Sequence, residues 1–229
     1  ASRLAQALLG LGLQPGDRVA LLAYNALEWL EIYAALARAG LVAVPVNFRL
    51  KGPEVDYIVR HSEAQAFIVQ EDLRALVDGI RADLPLASSR YVLFGAPAPQ
   101  GWQGYEDLMA AASPEAPAVE VRPQDLFALM YTSGTTGRPK GAMRSHEGNA
   151  LIALATALEF GLTRDDTALL VMPLCHANSL YFSVTFAMLG GTIIVDDRKS
   201  FDAQAVLRLL AQERVTFTSL VPTHYVMML

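Results

Sequence analysis

Between residues 18 and 94, short runs of Val, Leu, Ile and Ala alternate with longer stretches of helical spacing, and this alternation limits the folds open to the chain. Residues 18–23, 42–46, 66–69 and 91–94 have the length and composition of buried strands. Between them, helical patterns cover 27–37, 54–61 and 73–80, the first closed by Gly40 and the second opened by Pro53. A further helical pattern over 2–11 precedes the first strand. Strands alternating with helices build parallel βαβ units, so the expected class is α/β with helices on both sheet faces. Asn25, with Glu28 three residues on, has the spacing of a capping box for the 27–37 helix. His61 falls in the last turn of its helix and reads as a partner of the helix dipole rather than as a catalyst.

Residues 95–125 break the rhythm. They hold Pro97, Pro99, Pro114, Pro117 and Pro123, with a short helical piece over 106–111, and read as a surface excursion that returns the chain to the sheet at Leu126. An apolar run over 127–130 is the next strand, 142–144 its hairpin partner, and Ser145 the cap of a helix to Phe160. His146, with no acidic partner near it in sequence, is expected at the surface of that cap. A second strand and helix series follows over 168–172, 180–189 and 192–195, then a helix capped by Asp202, a strand over 215–219 and a helix opened by Pro222. Thr167 to Val195 carries no Asp, Glu, Lys or Arg. Pro173, His176, Asn178 and the Gly190-Gly191 pair divide it, so it reads as buried core with no transmembrane span. The expected organisation is a first α/β subdomain over 1–166 and an incomplete second one over 167–229. The sequence stops inside the apolar run Tyr225 to Leu229, which predicts a missing remainder of the chain.

A formal net charge of −5, with Lys and Arg scattered singly, argues against nucleic acid as a partner. The single cysteine, Cys175, excludes an internal disulfide framework and suits a reducing, cytoplasmic location. His61, His146, His176 and His224 are scattered and show no metal-ligand spacing.

The chemistry concentrates at Tyr131-Thr132-Ser133-Gly134-Thr135-Thr136-Gly137-Arg138-Pro139-Lys140-Gly141, directly after the apolar run. Glycines let backbone N–H groups turn toward one point, Ser and Thr add donors and a lysine adds mobile positive charge, a composition suited to a polyphosphate. A polar surface turn rich in Gly and Thr is the plainer alternative. Lys140 follows Pro139 and precedes no Ser or Thr, so this is not a Walker loop. Ser133 lacks the glycine two residues before it that a hydrolase elbow needs. Cys175 and His176 are sequence neighbours, and side chains of neighbours rarely face each other, which argues against a thiolate dyad.

Residues 131–141 resemble the phosphate-binding signature of the adenylate-forming superfamily, which includes acyl-CoA synthetases, luciferases and the adenylation domains of peptide synthetases. Ala39-Gly40-Leu41-Val42-Ala43-Val44-Pro45-Val46-Asn47-Phe48-Arg49-Leu50 is similar to a segment of the acyl-CoA synthetases, and Met172-Pro173-Leu174-Cys175-His176 resembles their Pro-Leu-Phe-His segment near the acyl pocket. The resemblance implies part of the large N-terminal domain of such an enzyme, with the C-terminal domain absent. It also implies a two-step reaction: a carboxylic acid, expected to be apolar, attacks ATP to give acyl-AMP and pyrophosphate, and coenzyme A then displaces AMP. On this resemblance Thr132, Ser133, Gly134, Thr135, Thr136 and Gly137 hold the β- and γ-phosphates, Lys140 steadies the loop, Mg²⁺ shares the charge and His176 lines the acyl site. A pocket-wall histidine without a chemical role is the alternative for His176. Cys175 stands where an aromatic residue is usual, which leaves the substrate open. The adenine- and ribose-binding segments and the C-terminal lysine of the family are not in this sequence, so the fragment alone is expected to be inactive. A carrier-protein-loading adenylation domain and a non-catalytic nucleotide- or polyphosphate-binding module are the two alternatives.

Overall fold

The computed structural model describes residues 1–132 and 138–229. The chain forms two compact units, 1–23 with 30–146, and 24–29 with 147–229.

The first unit contains, in chain order, α1 (Ser2–Gly10), β1 (Arg18–Leu22), α2 (Glu28–Arg38, from Leu30 onward), β2 (Val42–Val46), α3 (Gly52–His61), β3 (Ala64–Gln70), α4 (Glu71–Asp78), β4 (Tyr91–Phe94), β5 (Gln103–Gly104), α5 (Tyr105–Ala111), β6 (Leu126–Thr132) and β7 (Lys140–Ser145). Among the described residues these strands make one sheet in the order β5-β4-β3-β1-β2-β6-β7. All neighbours are parallel except β6 and β7, which form an antiparallel hairpin. β1 and β2 lie at its centre, and their continuous apolar runs fit burial on both faces, with Ala20, Leu21, Leu22 and Val44 fully buried. α3 starts where Pro53 presets the backbone and Glu54 accepts the Lys51 N–H at 2.9 Å, and it ends with Arg60 and His61 in its last turn. The expected α/β class is met.

Some details differ from the sequence reading. The excursion over 95–125 adds an edge strand, β5, that pairs Gln103 with Val92 and Gly104 with Leu93. Trp102 fixes this edge by donating from Nε1 to Asp78 at 3.1 Å, and the Arg81 guanidinium lies over the Tyr91 and Trp102 rings at 4.0 and 5.0 Å. A strand of two residues is too short for an alternation to register. His146 is not a surface cap residue. Its N–H donates to the Asp125 carbonyl at 3.0 Å, its ring meets Phe127 edge-on at 5.4 Å, and Asp125 is the acidic neighbour that the local sequence did not reveal.

The second unit contains α6 (His146–Phe160, from Glu147 onward), β8 (Thr167–Leu170), α7 (Ala177–Leu189), β9 (Thr192–Val195), α8 (Ala203–Gln212), β10 (Phe217–Thr218) and α9 (Pro222–Met228). Its parallel sheet runs β10-β8-β9. Phe182, Phe186 and Phe160 surround Phe217, with ring centroids 4.6, 5.6 and 5.6 Å from it. β10 is shorter than 215–219 because the Val215 N–H still donates to Leu210 at 3.1 Å and Arg214 takes φ 50°, so these residues are spent on leaving α8. The charge-free stretch becomes strand, helix and strand, as expected. Among the described residues no helix is long and apolar enough to cross a membrane.

Candidate functional site

The order of the first sheet selects one place on it. After β2 the chain returns through α3 to β3 on the far side of β1, whereas after β6 it turns the other way into β7. Connections that leave neighbouring strands in opposite directions make a topological switch point, and ligands of open α/β sheets bind beside the carboxyl ends of the strands there. The carboxyl end of β6 is Thr132.

At that end the hairpin pairs Thr132 with Lys140 and Tyr131 with Gly141. Side chains of directly opposed residues share a face and successive residues alternate, so Thr132 and Lys140 stand together on one face and Tyr131 on the other. Thr132 and Lys140 are both exposed. A hydroxyl and an ammonium side by side and open to solvent suit a phosphate oxygen. Ser133, Gly134, Thr135, Thr136 and Gly137 lie outside the described residues. Among those described, no group of three or more His, Cys, Asp or Glu side chains could hold a metal ion.

The other face of the hairpin is held by α3. The Tyr131 hydroxyl lies 2.7 Å from His61 Nδ1, and the Tyr57 hydroxyl donates to the Pro139 carbonyl at 3.2 Å. Burial pushes the Tyr131 phenol up to about 12, with Tyr57 adding to the shift and a hydrogen bond involving Ser62 opposing it. A cavity of about 270 Å³ lies at the opposite end of the same strands, beside Gly40, Val42, Asp125 and Leu126, and none of the sequence-predicted site residues lines it.

His176 belongs to the second unit, where it is the exposed N-cap residue of α7. The segment before it is firmly built. Asn25 Oδ1 accepts the Leu174 N–H at 2.7 Å, Asn25 Nδ2 donates to Met172 at 3.1 Å and Val171 at 3.4 Å, and Ser179 donates to the Met172 carbonyl at 2.6 Å. Cys175 is buried within it and forms no disulfide. Asn25 is thus a tether of the 171–174 segment, and α2 begins only at Glu28, beyond the reach of a cap at Asn25. Sequence spacing could not reveal that tether, because its partners lie some 146 to 149 positions away.

The first unit is thus of the open α/β class, with a hairpin at the switch point of its sheet. The whole chain, residues 1–229, matches the family described as AMP-binding enzyme, and it belongs to that family. It is 38% identical over 228 residues to an indoleacetate–CoA ligase of Aromatoleum aromaticum, covering 99% of this chain and 44% of that protein. It is 35% identical over 224 residues to the long-chain-fatty-acid–CoA ligase FadD13 of Mycobacterium tuberculosis, covering 97% and 42%. Among solved structures, the anthranilate CoA ligase AuaEII in complex with anthranoyl-AMP superposes with a TM-score of 0.93 at 27% identity, covering 98% of this chain and 43% of that one. The chain therefore spans less than half the length of these relatives.

Proposed function

We propose that this chain is the nucleotide-phosphate-binding part of an ATP-dependent carboxylate–CoA ligase. The observation that carries the reading is the Thr132–Lys140 pair at the switch-point mouth of the β6–β7 hairpin, flanking the signature residues Ser133 to Gly137. A carboxylate is a weak nucleophile, and its attack on the α-phosphate of ATP brings two anions together. Catalysis then depends on charge neutralisation and in-line positioning. Lys140 supplies a fixed positive charge to the phosphates that leave as pyrophosphate, and Thr132 donates a hydrogen bond from the opposite strand. Ser133, Gly134, Thr135, Thr136 and Gly137 surround the same phosphates with hydroxyl and N–H donors. Mg²⁺, when bound, neutralises the charge on the phosphate oxygens. Coenzyme A receives the acyl group in a second step, a reading supported by the CoA-ligase names of all three relatives. His176, at the N-cap of α7 behind the segment tethered by Asn25, lines the acyl site.

Indoleacetate, a long-chain fatty acid and anthranilate are alike in joining a carboxylate to an apolar body, so the proposed substrate is an apolar carboxylic acid. Cys175, the one cysteine of the sequence, is buried and forms no disulfide, which supports a reducing, cytoplasmic location. ATP–pyrophosphate exchange in the protein that carries this chain, with a panel of aryl and fatty acids, tests the proposal. Carboxylate-dependent exchange that falls at least about tenfold with Thr136→Ala or Lys140→Ala, the loss of about 1.4 kcal/mol of transition-state binding, supports it. Exchange indifferent to both substitutions sinks the phosphate assignment.

A further inference from the structure

Resting on the polyphosphate reading of the hairpin, we propose that Tyr57 and His61 of α3 are positioning residues that clamp the hairpin mouth and so set the Thr132–Lys140 pair for phosphate binding.

The two residues are four apart, so they project from one face of α3 a single turn from each other. Their rings stack at 5.2 Å with 29° between planes. Each reaches a different strand of the hairpin: His61 Nδ1 meets the Tyr131 hydroxyl on β6 at 2.7 Å, and the Tyr57 hydroxyl donates to the Pro139 carbonyl at the entry to β7 at 3.2 Å. Tyr131 is the residue before Thr132, and Pro139 the residue before Lys140. One helix thus grips both arms of the hairpin one position from the phosphate-facing pair.

The seat for Tyr131 is equally specific. Its ring lies across the hairpin on Gly141, where a Cβ would come within 3.3 Å of two ring carbons. His61 closes the seat edge-on, its ring centroid 5.7 Å from that of Tyr131 at 83°. Because its phenol is pushed up to about 12, the Tyr131 hydroxyl keeps its proton through the neutral range and can serve His61 as a donor. The pleat carries the consequence to the other face. With Tyr131 fixed against α3, Thr132 is held pointing away from α3, opposite Lys140. A hairpin fixed in this way gives up less conformational freedom when an anion binds, which is how preorganisation raises affinity.

The test uses the full chain, with inorganic tripolyphosphate as the probe in calorimetry and amide hydrogen exchange read at Thr132, Arg138, Lys140 and Gly141. One net hydrogen bond corresponds to about a five- to tenfold change in affinity. Tyr131→Phe and His61→Leu are expected to weaken tripolyphosphate by that factor and to speed exchange at the hairpin mouth. Tyr57→Phe should act on the Arg138, Lys140 and Gly141 amides most. His61→Asn, which places an acceptor near the position of Nδ1, is expected to restore most of the affinity and the protection. A merely structural histidine would not distinguish Asn from Leu in this way. Equal losses in His61→Asn and His61→Leu, or binding and exchange unchanged in all four variants, overturn the clamp alone. Failure of the unsubstituted chain to bind tripolyphosphate overturns the polyphosphate reading, and the proposal with it.

Discussion

Asn25 Oδ1 accepts the Leu174 N–H at 2.7 Å, and the same carboxamide donates to the carbonyls of Met172 and Val171. All three contacts fall on the segment that delivers His176 to the start of α7. Asn25 is 7% exposed, so its partners have little access to replacement water. Asn25→Ala is expected to cost about 1–3 kcal/mol, the penalty for leaving buried polar groups unpaired. Asn25→Asp should be worse at neutral pH than in acid, because a carboxylate can accept from Leu174 but faces two carbonyl oxygens where the amide donated. Urea unfolding of both variants, with amide exchange at Met172 and Leu174, reads the effect. A stability equal to the parent's in Asn25→Ala would show that the tether is not needed.

Asp202 is the local counterpart of that distant tether. Its carboxylate accepts the Ala205 N–H at 3.0 Å and satisfies one of the first free donors of α8. Asp202→Ala is expected to lower stability by about 1 kcal/mol, and Asp202→Asn to retain most of it. Denaturant midpoints for the two variants should separate by that amount, and coincident midpoints would refute the cap.

The contrast between Asp202 and Asn25 marks what the sequence made legible. Asp202, Pro53 and Glu54 act on backbone groups within one turn, so spacing alone exposes them. The apolar runs that became β1, β2 and β4 declared themselves because burial on both faces leaves a continuous hydrophobic string. Asn25 looked like a cap because both uses need a short carboxamide, and only the fold reveals that its partners lie in the 171–174 segment. His61 and Tyr131 are 70 positions apart and meet only once α3 has crossed the sheet. At the hairpin, composition indicated an anion site and the paired strands show Thr132 opposite Lys140, while residues 133–137 rest on the signature itself.

At Gly141 the constraint is space rather than an unusual backbone angle, since it is not among the glycines with positive φ. A methyl group there would press on the Tyr131 ring at 3.3 Å. Gly141→Ala is expected to destabilise by about 1–2 kcal/mol, as overpacking does. On a Tyr131→Ala background the ring is gone and the same change should cost close to nothing. A double-mutant cycle measures that coupling directly. Identical costs on the two backgrounds would mean that the ring is not what Gly141 accommodates.

His146 is expected to make the fold sensitive to mild acid. Burial lowers the affinity of its ring for a proton, the Asp125 charge only partly offsets this, and Nε2 is buried with no hydrogen-bond partner among the described residues. The folded chain therefore binds the His146 proton less readily than the unfolded chain, whose histidine titrates near 6.5. Stability contributed by the neutral ring is complete above that value and is lost as pH falls below it toward the folded value, because the unfolded state takes up the proton first. His146→Phe keeps an aromatic ring against Phe127 and the backbone bond to Asp125 while removing the titration. Urea midpoints measured on either side of pH 6.5 should fall less steeply with acid in His146→Phe than in the parent. Parallel pH profiles for the two proteins would show that the His146 proton has no part in the acid sensitivity of the fold.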